Sequence, residues 1–275
     1  MRCETAFRLI VSECLEEVAT NHEAACAGDP AALHHMRIAL THLRAAIAFY
    51  SAMVADSEWT RLKSELKWLN GYLGETRDLD VAIETSRGTP DARAFRTARV
   101  ASHQRLQRAL ESDRYRQWFE AMWGWVGSGP WSTRQDPRSA QRRAAPVAVF
   151  HAHRLARWHH KLTRKSRGLQ GMGKHKRHRL RLASKRLRYA IEFSQGALPK
   201  DDLPKWQAIM KHLRKGQQIL GELNDAEMRR SLATSLERAQ QRASTSDRKP
   251  LKLLDPKKKS RLLRRAAIVY RKVAG

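Results

Sequence analysis

Two stretches of this chain repeat one basic helical pattern, and that duplication constrains the fold more than any other feature. From Lys174 to Tyr189, ten of sixteen residues are Lys, Arg or His and none is acidic. A weaker copy runs from Leu33 to Arg44, 144 residues upstream, so that His34, Arg37 and Arg44 fall on His178, Arg181 and Arg188. Ile38 and Ala39 fall on Leu182 and Ala183. A second shared pattern follows each copy at an offset of 147, Leu73-Gly74-Glu75 to Asp78 matching Leu220-Gly221-Glu222 to Asp225. Two patterns in the same order, separated by a three-residue slip, indicate a duplicated helical unit whose second half is closer to the ideal.

The rest of the chain fits such a unit. Gly and Pro are rare inside its long segments, Ala, Leu, Arg and Glu are common, and no alternating Val/Ile/Thr runs occur, so the fold class is all-α. A first amphipathic helix is expected over 3–26, with Phe7, Ile10, Val11, Cys14 and Val18 as its buried stripe. Gly28-Asp29-Pro30 stops it and starts a second helix that carries the first basic motif to about 54. A third, capped by Asp56 or Ser57, runs to about 86. Gly88 to Asp91 turns the chain into a fourth, to about 125. Gly127 to Pro137 reads as the linker. Four more helices are expected over about 146–166, 174–196, 204–242 and 257–273, with a polar, loose segment over 244–256. The chain is thus divided into a first half over 1–126, a linker over 127–145 and a second half over 146–275.

Helical spacing separates the cations from the core. At about 100° per residue, His34, Arg37, Thr41 and Arg44 lie within about 80° of one another, as do His178, Arg181, Lys185 and Arg188. Met36, Leu40, Leu43 and Ile47 form a distinct apolar stripe about 110° away. Lys63, Lys67, Gly74 and Asp78 share a face of the third helix, and Arg214, Gly221 and Asp225 reproduce it in the second half. A mid-helix Gly costs about 1 kcal/mol relative to Ala, so the matched pair suggests close approach of a helix or a ligand. Asp78 and Asp225 are read as orienting neighbouring arginines rather than as catalysts. Arg154, Arg157, Lys161 and Arg164 repeat the same spacing on the fifth helix, which makes the second half the more positive.

Charge then bounds the partner. Lys plus Arg number 54 against 27 Asp plus Glu, a net charge of +27. Two cations about 6 Å apart repel by roughly 3 kcal/mol at an effective dielectric near 20, so a dense cationic face favours a polyanion. Cys3, Cys14 and Cys26 contain no CxxC pair and read as reduced core residues of a cytosolic protein. The early glutamates exclude a signal peptide, and no run of 18 apolar residues spans a membrane.

Competing motifs are weaker. Gly168-Leu169-Gln170-Gly171-Met172-Gly173-Lys174 has P-loop spacing, but His175 stands where Ser or Thr must hold magnesium, so a helix–helix connection is expected. His151, His153, His159 and His160 lack a completing carboxylate or cysteine and read as surface or anion-facing side chains, giving no metal site. Trp118, Trp123, Trp125 and Trp131 are expected to pack a bundle end rather than stack on bases.

The pattern His-x-x-Arg-x-Ala-x-(Lys/Arg)-(Lys/Arg)-x-Arg followed by Leu-Gly-x-x-x-Asp resembles the CHAD family, the conserved histidine α-helical domain, over essentially the whole chain. The resemblance implies two antiparallel four-helix bundles related by a pseudo-twofold axis, with a basic central pore. It implies binding of inorganic polyphosphate without catalysis or a cofactor. Carried onto this sequence, the pore positions are His34, Arg37 and Arg44, then His178, Arg181, Lys185, Arg186 and Arg188, with Lys67 and Arg214 on adjacent helices. Lys63, Arg154, Arg157 and Lys161 complete the expected binding set from the stripes described above. Thr41 and His42 replace two basic positions of the family pattern, so the first half has lost charge. The Glu-x-Glu-x-Lys motif of CYTH triphosphatases, often fused to such domains, does not occur, and any polyphosphate-metabolising enzyme is expected to be a separate chain. The expected location is the cytoplasm, at polyphosphate granules. Sequence-non-specific nucleic-acid binding through the same cations is the alternative.

Overall fold

The first helix shows how the apolar spacing becomes structure. In a computed structural model, which describes residues 1–88, 91–241 and 255–274, α1 (Cys3–Thr20) buries Phe7, Val11, Cys14 and Val18 on one seam. It stops short of the expected 26 because the Asn21 amide turns back to the Glu17 carbonyl at 2.8 Å, the competition that disfavours Asn inside helices. A separate short α2 (His22–Cys26) follows. Gly28 then adopts φ 95°, a left-handed conformation that lets the chain leave α2. Asp29 accepts from the amides of Ala31 and Ala32 at 2.9 and 3.2 Å and starts α3 (Pro30–Phe49) with proline in its first turn, a strong start signal.

Capping residues set most of the remaining boundaries. After α4 (Ser51–Val54), Asp56 accepts from the Trp59 amide at 2.6 Å and starts α5 (Ser57–Thr85). The expected fourth helix is two, α6 (Asp91–Leu110) and α7 (Asp113–Ser128), because Ser112 takes an extended conformation and accepts from the Tyr115 amide. Residues 127–145, rich in Gly and Pro, hold α8 (Pro130–Thr133) and α9 (Pro137–Ala144). Trp131 is fully buried there, 5.1 Å from the Phe7 ring, and Trp118 and Trp125 are buried as well. Then come α10 (Val147–Ser166), α11 (Lys174–Ser194), α12 (Leu203–Gln241) and α13 (Pro256–Ala274). The turn at Thr89 and Pro90 and the segment 244–254 lie outside the described residues. Among the described residues there is no strand beyond one isolated bridge, Arg2 to Pro146, and no helix is long and apolar enough to cross a membrane.

The chain forms two compact units that do not coincide with the two halves of the sequence. Unit 1 comprises 1–77, 99–154 and 192–199, and unit 2 comprises 78–98, 155–191 and 200–275. In unit 1, Leu33, Met36, Leu40, Leu43 and Ile47 of α3 are buried, the 3-4-3-4 spacing of a helix packed along its length. In unit 2, α13 packs against α12. Tyr270 of α13 lies so close to Gly216 of α12 that a Cβ there would meet its ring at 2.9 Å. Burial pushes the Cys3 and Cys14 thiols up to about 11 and about 12, so both stay protonated and inert at neutral pH.

Candidate anion-binding site

The second basic motif is a helix with three distinct strips. Leu180, Ser184, Leu187 and Ile191 of α11 are buried. Ser184 completes this seam by donating to the Leu180 carbonyl and meeting the Tyr270 hydroxyl at 2.5 Å. Next to the seam, Arg181, Lys185 and Arg188 are half-buried and His178 is exposed. Further round, Arg179, Leu182 and Arg186 are exposed. The dense run therefore folds as a helix because its apolar residues keep a 3-4 spacing, and its cations fill what remains of the surface.

Arg181 and His178 face a recess of about 80 Å³ in unit 2, lined also by Lys174, His175 and Arg177 of α11 and by Leu220, Leu223, Asn224 and Glu227 of α12. Arg177, only 9% exposed, is fixed at both ends of its guanidinium. Nη1 donates to the Met172 carbonyl at 2.7 Å and Nη2 to Glu227 Oε1 at 2.8 Å. Lys174 Nζ stands 3.9 Å from the other oxygen of the same carboxylate. The Met172 contact ties the glycine-rich connection to α11, and Gly168 in that connection is left-handed at φ 69°, which only glycine adopts without strain.

Several cations of this copy are positioned rather than loosely solvated. Arg188 Nε donates to Gln217 Oε1 at 3.1 Å, and its guanidinium lies 4.2 Å over the Tyr189 ring. Arg181 Nε is buried with no hydrogen-bond partner among the described residues. Burial pushes the Tyr270 hydroxyl up to about 12, while the Ser184 bond and the Arg181 charge act in the opposite direction. Arg214 of α12 is exposed. Asp225, expected to orient arginines, accepts from Asn224 Nδ2 at 3.4 Å, and the α12 carboxylate that holds an arginine is Glu227.

The first copy, in unit 1, is arranged differently. His34 and Arg44 are exposed on α3 and Arg37 is half-buried. A Cβ on Gly74 would stand 3.2 Å from Arg37 Nη1, so that glycine admits the guanidinium against α5. At Gly221 nothing lies within 4 Å of the same position. Thr41, the counterpart of Lys185, donates to the Arg37 carbonyl of its own helix at 2.7 Å. The His42 ring stands 3.8 Å from the Glu192 carboxylate. Lys63 and Lys67 are exposed on α5.

The α10 stripe divides between two roles. Arg154 departs from its expected role as a ligand-binding cation. Its guanidinium donates to the Phe49 and Ala48 carbonyls at 2.9 and 3.2 Å and to Ser51 Oγ at 3.1 Å. It therefore satisfies the open carbonyl end of α3 and opposes its dipole. Arg157 and Lys161 are exposed. Lys161 and Arg164 of α10 and Arg179 and Arg186 of α11 surround Lys165. Desolvation first, then these four charges, hold the Lys165 amine below its ordinary range. Arg186 thus belongs to this cluster on the α10 side of α11, about 100° round from Lys185. His151 corrects another expectation. It is 1% exposed, its Nε2 meets the Tyr50 hydroxyl at 2.5 Å, and burial pushes its pKa down to about 4. His159 meets the Val273 carbonyl, while His153 and His160 are exposed as expected.

The sequence pattern did not assign Lys174, His175, Arg177, Gln217 or Glu227 to the binding set, and it marked Asn224 only as a departure from the family pattern, which has Arg there. One signal was available for Glu227, since Asp80 stands 147 residues before it and each lies two residues beyond the matched Asp78 or Asp225. Gln217 had none, because its role depends on which arginine the packing of α11 on α12 brings to it.

Comparison with known proteins places this geometry. The chain is similar to the crystal structure of the CHAD domain from the plant Ricinus communis, with a TM-score of 0.75 and 27% sequence identity over 88% of this chain and 82% of that one. It also shares its fold with PptA from Streptomyces chartreusis, at a TM-score of 0.60 and 16% identity, covering 100% of this chain and 95% of that one. No curated protein matches the sequence. The CHAD domain family model matches residues 9–234, which take in both basic motifs and both Leu-Gly-Glu segments, and the chain accordingly belongs to the CHAD domain family.

Proposed function

We propose that this protein binds inorganic polyphosphate through the cations of its two motif helices and does not chemically alter it. The observation that carries the reading is the recess in unit 2, where Lys174, His175, Arg177, His178 and Arg181 converge on one small volume. Phosphate oxygens complement such a set, each charge-assisted hydrogen bond contributing about 1.5–3 kcal/mol. A water-sized group needs about 10–15 Å³, so a recess of about 80 Å³ has room for a phosphate unit. The lining contains no Trp, Tyr or Phe, whereas single-stranded nucleic acid is held largely by stacking on such rings.

The binding-only reading has its own support. Metal-assisted phosphoryl transfer relies on carboxylates that hold divalent ions, and of the residues lining the recess only Glu227 carries one. That carboxylate already faces Arg177 and Lys174. A cytoplasmic setting at polyphosphate granules, served by separate polyphosphate-metabolising enzymes, accords with this role. The test is competition at fixed salt. Long-chain polyphosphate displaces RNA or DNA from the protein at equal phosphate concentration, and displacement in the reverse direction would replace polyphosphate by nucleic acid as the ligand. Release of orthophosphate by the pure protein with Mg²⁺ would make it an enzyme.

A further inference from the structure

The contact between Arg188 and Gln217 fixes more than one side chain. An arginine guanidinium has donors only, so Gln217 must turn its oxygen toward Arg188 Nε, as the 3.1 Å contact shows. The amide nitrogen is thereby pointed away. Gln217 Nε2 is buried and has no hydrogen-bond partner among the described residues. The same is true of Arg181 Nε, seven residues before Arg188 and on the same side of α11. Buried polar groups in folded proteins are nearly always paired, and both of these groups are donors. An acceptor-only ligand is what such a pair lacks, and ionised phosphate is one.

The first copy supplies a contrast. The residue 147 positions before Gln217 is Asn70, one methylene shorter, and its Nδ2 donates to the Leu66 carbonyl of its own helix at 2.7 Å. The amide there serves α5. In the second copy the longer side chain reaches the motif arginine and keeps its N–H₂ for another partner.

We propose that Gln217 is an uncharged member of the anion site on α11 and α12: its oxygen positions Arg188, and its nitrogen, with Arg181 Nε, donates to phosphate oxygens. This rests on the polyphosphate reading and extends it to a residue outside the cationic pattern. Both actions of Gln217 are charge-neutral, which separates them from those of the arginines.

The experiment is a polyphosphate titration of the full chain at several salt concentrations. Gln217→Met, similar in size and without polar groups, weakens binding about five- to tenfold, the equivalent of one lost hydrogen bond network member. The slope of log affinity against log salt stays as in the wild type, because no charge has been removed. Arg188→Ala lowers that slope by about one. On the Arg188→Ala background Gln217→Met costs about twofold, since its positioning role has gone. Binding by Gln217→Met within twofold of wild type, or equal losses on the two backgrounds, overturns the assignment. Should Gln217→Met unfold unit 2, Gln217→Glu carries the test. It keeps an acceptor for Arg188, removes the donor and adds a negative charge next to the phosphate, so binding falls at least tenfold and the salt slope falls with it, and unchanged binding overturns the assignment. Failure of the wild-type chain to bind polyphosphate would instead remove the ligand on which the assignment rests.

Discussion

In unit 1 the helix carrying the basic motif ends on Tyr50, whose buried hydroxyl meets His151, whereas in unit 2 the matching helix is fastened at mid-length by Ser184 against the buried hydroxyl of Tyr270. Both devices join a motif helix to a neighbour through a tyrosine in an apolar setting. Burial pushes Tyr50 well above its ordinary range and Tyr270 up to about 12, so neither phenol ionises under physiological conditions. The difference lies in the partner. Serine carries no titratable charge, and histidine does. The two copies also hold their cations differently: Arg37 lies against Gly74 and Thr41 is turned into its own helix, while Arg188 is clamped by Gln217 and Arg177 by Glu227. A duplicated pattern has thus diverged into a lightly charged copy fastened through a histidine and a more heavily charged, pre-organised copy fastened through a serine.

The largest expected effect bears on the fastening devices. The pKa of His151 is lowered from 6.5 to about 4 in the folded protein. Between these values the unfolded chain binds the proton and the folded chain does not. The contribution is therefore complete above pH 6.5 and lost as pH falls toward 4, amounting to about 3 kcal/mol. Denaturant unfolding at pH 7 and at pH 4.5 measures it. His151→Gln, which keeps a hydrogen-bonding group for Tyr50, flattens this dependence in unit 1, and an unchanged pH profile would break the contrast with unit 2.

Next in size is the ligand contrast. Arg188→Ala or Arg181→Ala removes a positioned cation and lowers polyphosphate affinity by about 1.5–3 kcal/mol, at least tenfold. Arg44→Ala removes an exposed cation, and the loss stays within a few-fold. Equal losses in the two copies, measured by the same titration, would erase the asymmetry.

The smallest effect separates the matched glycines. Alanine is favoured over glycine within a helix by about 1 kcal/mol. Nothing lies within 4 Å of a Cβ at 221, so Gly221→Ala raises thermal stability by about that amount. At 74 the new methyl group meets Arg37 Nη1 at 3.2 Å and the guanidinium must yield, so Gly74→Ala gains less than half as much. Thermal melts of the two variants sharpen the comparison, and a larger gain at 74 would reverse it.

What could be read from the chain follows the range of the interactions involved. Helix content, the apolar seams of α1 and α3, the stop at Gly28 and the start at Asp56 are set by neighbours within four residues, and periodicity and capping signals report those. The breaks at Asn21 and Ser112 are also local, but long helical runs on either side mask a single competing side chain. The cationic stripe of α11 was legible because its spacing is helical. The function of each cation was not. Arg154 and Arg157 occupy equivalent places in one spacing pattern, yet Arg154 caps α3 through packing that brings residues over 100 positions apart together. His151 likewise looked polar beside His153, and only the surrounding Phe49, Phe150 and Phe193 rings make it a core residue. Gln217 lies at the far end of the same scale, since its partner is fixed wholly by the docking of two helices.

Lys165 carries a consequence of a chemical kind. Desolvation and, after it, four neighbouring cations lower the basicity of its amine. The uncharged amine is the form that attacks acyl donors. A polyanion lying across this cluster reverses the electrostatic push and restores the ammonium. On the polyphosphate reading, a polymer bound across the α10–α11 face slows acylation of Lys165 relative to the ligand-free protein.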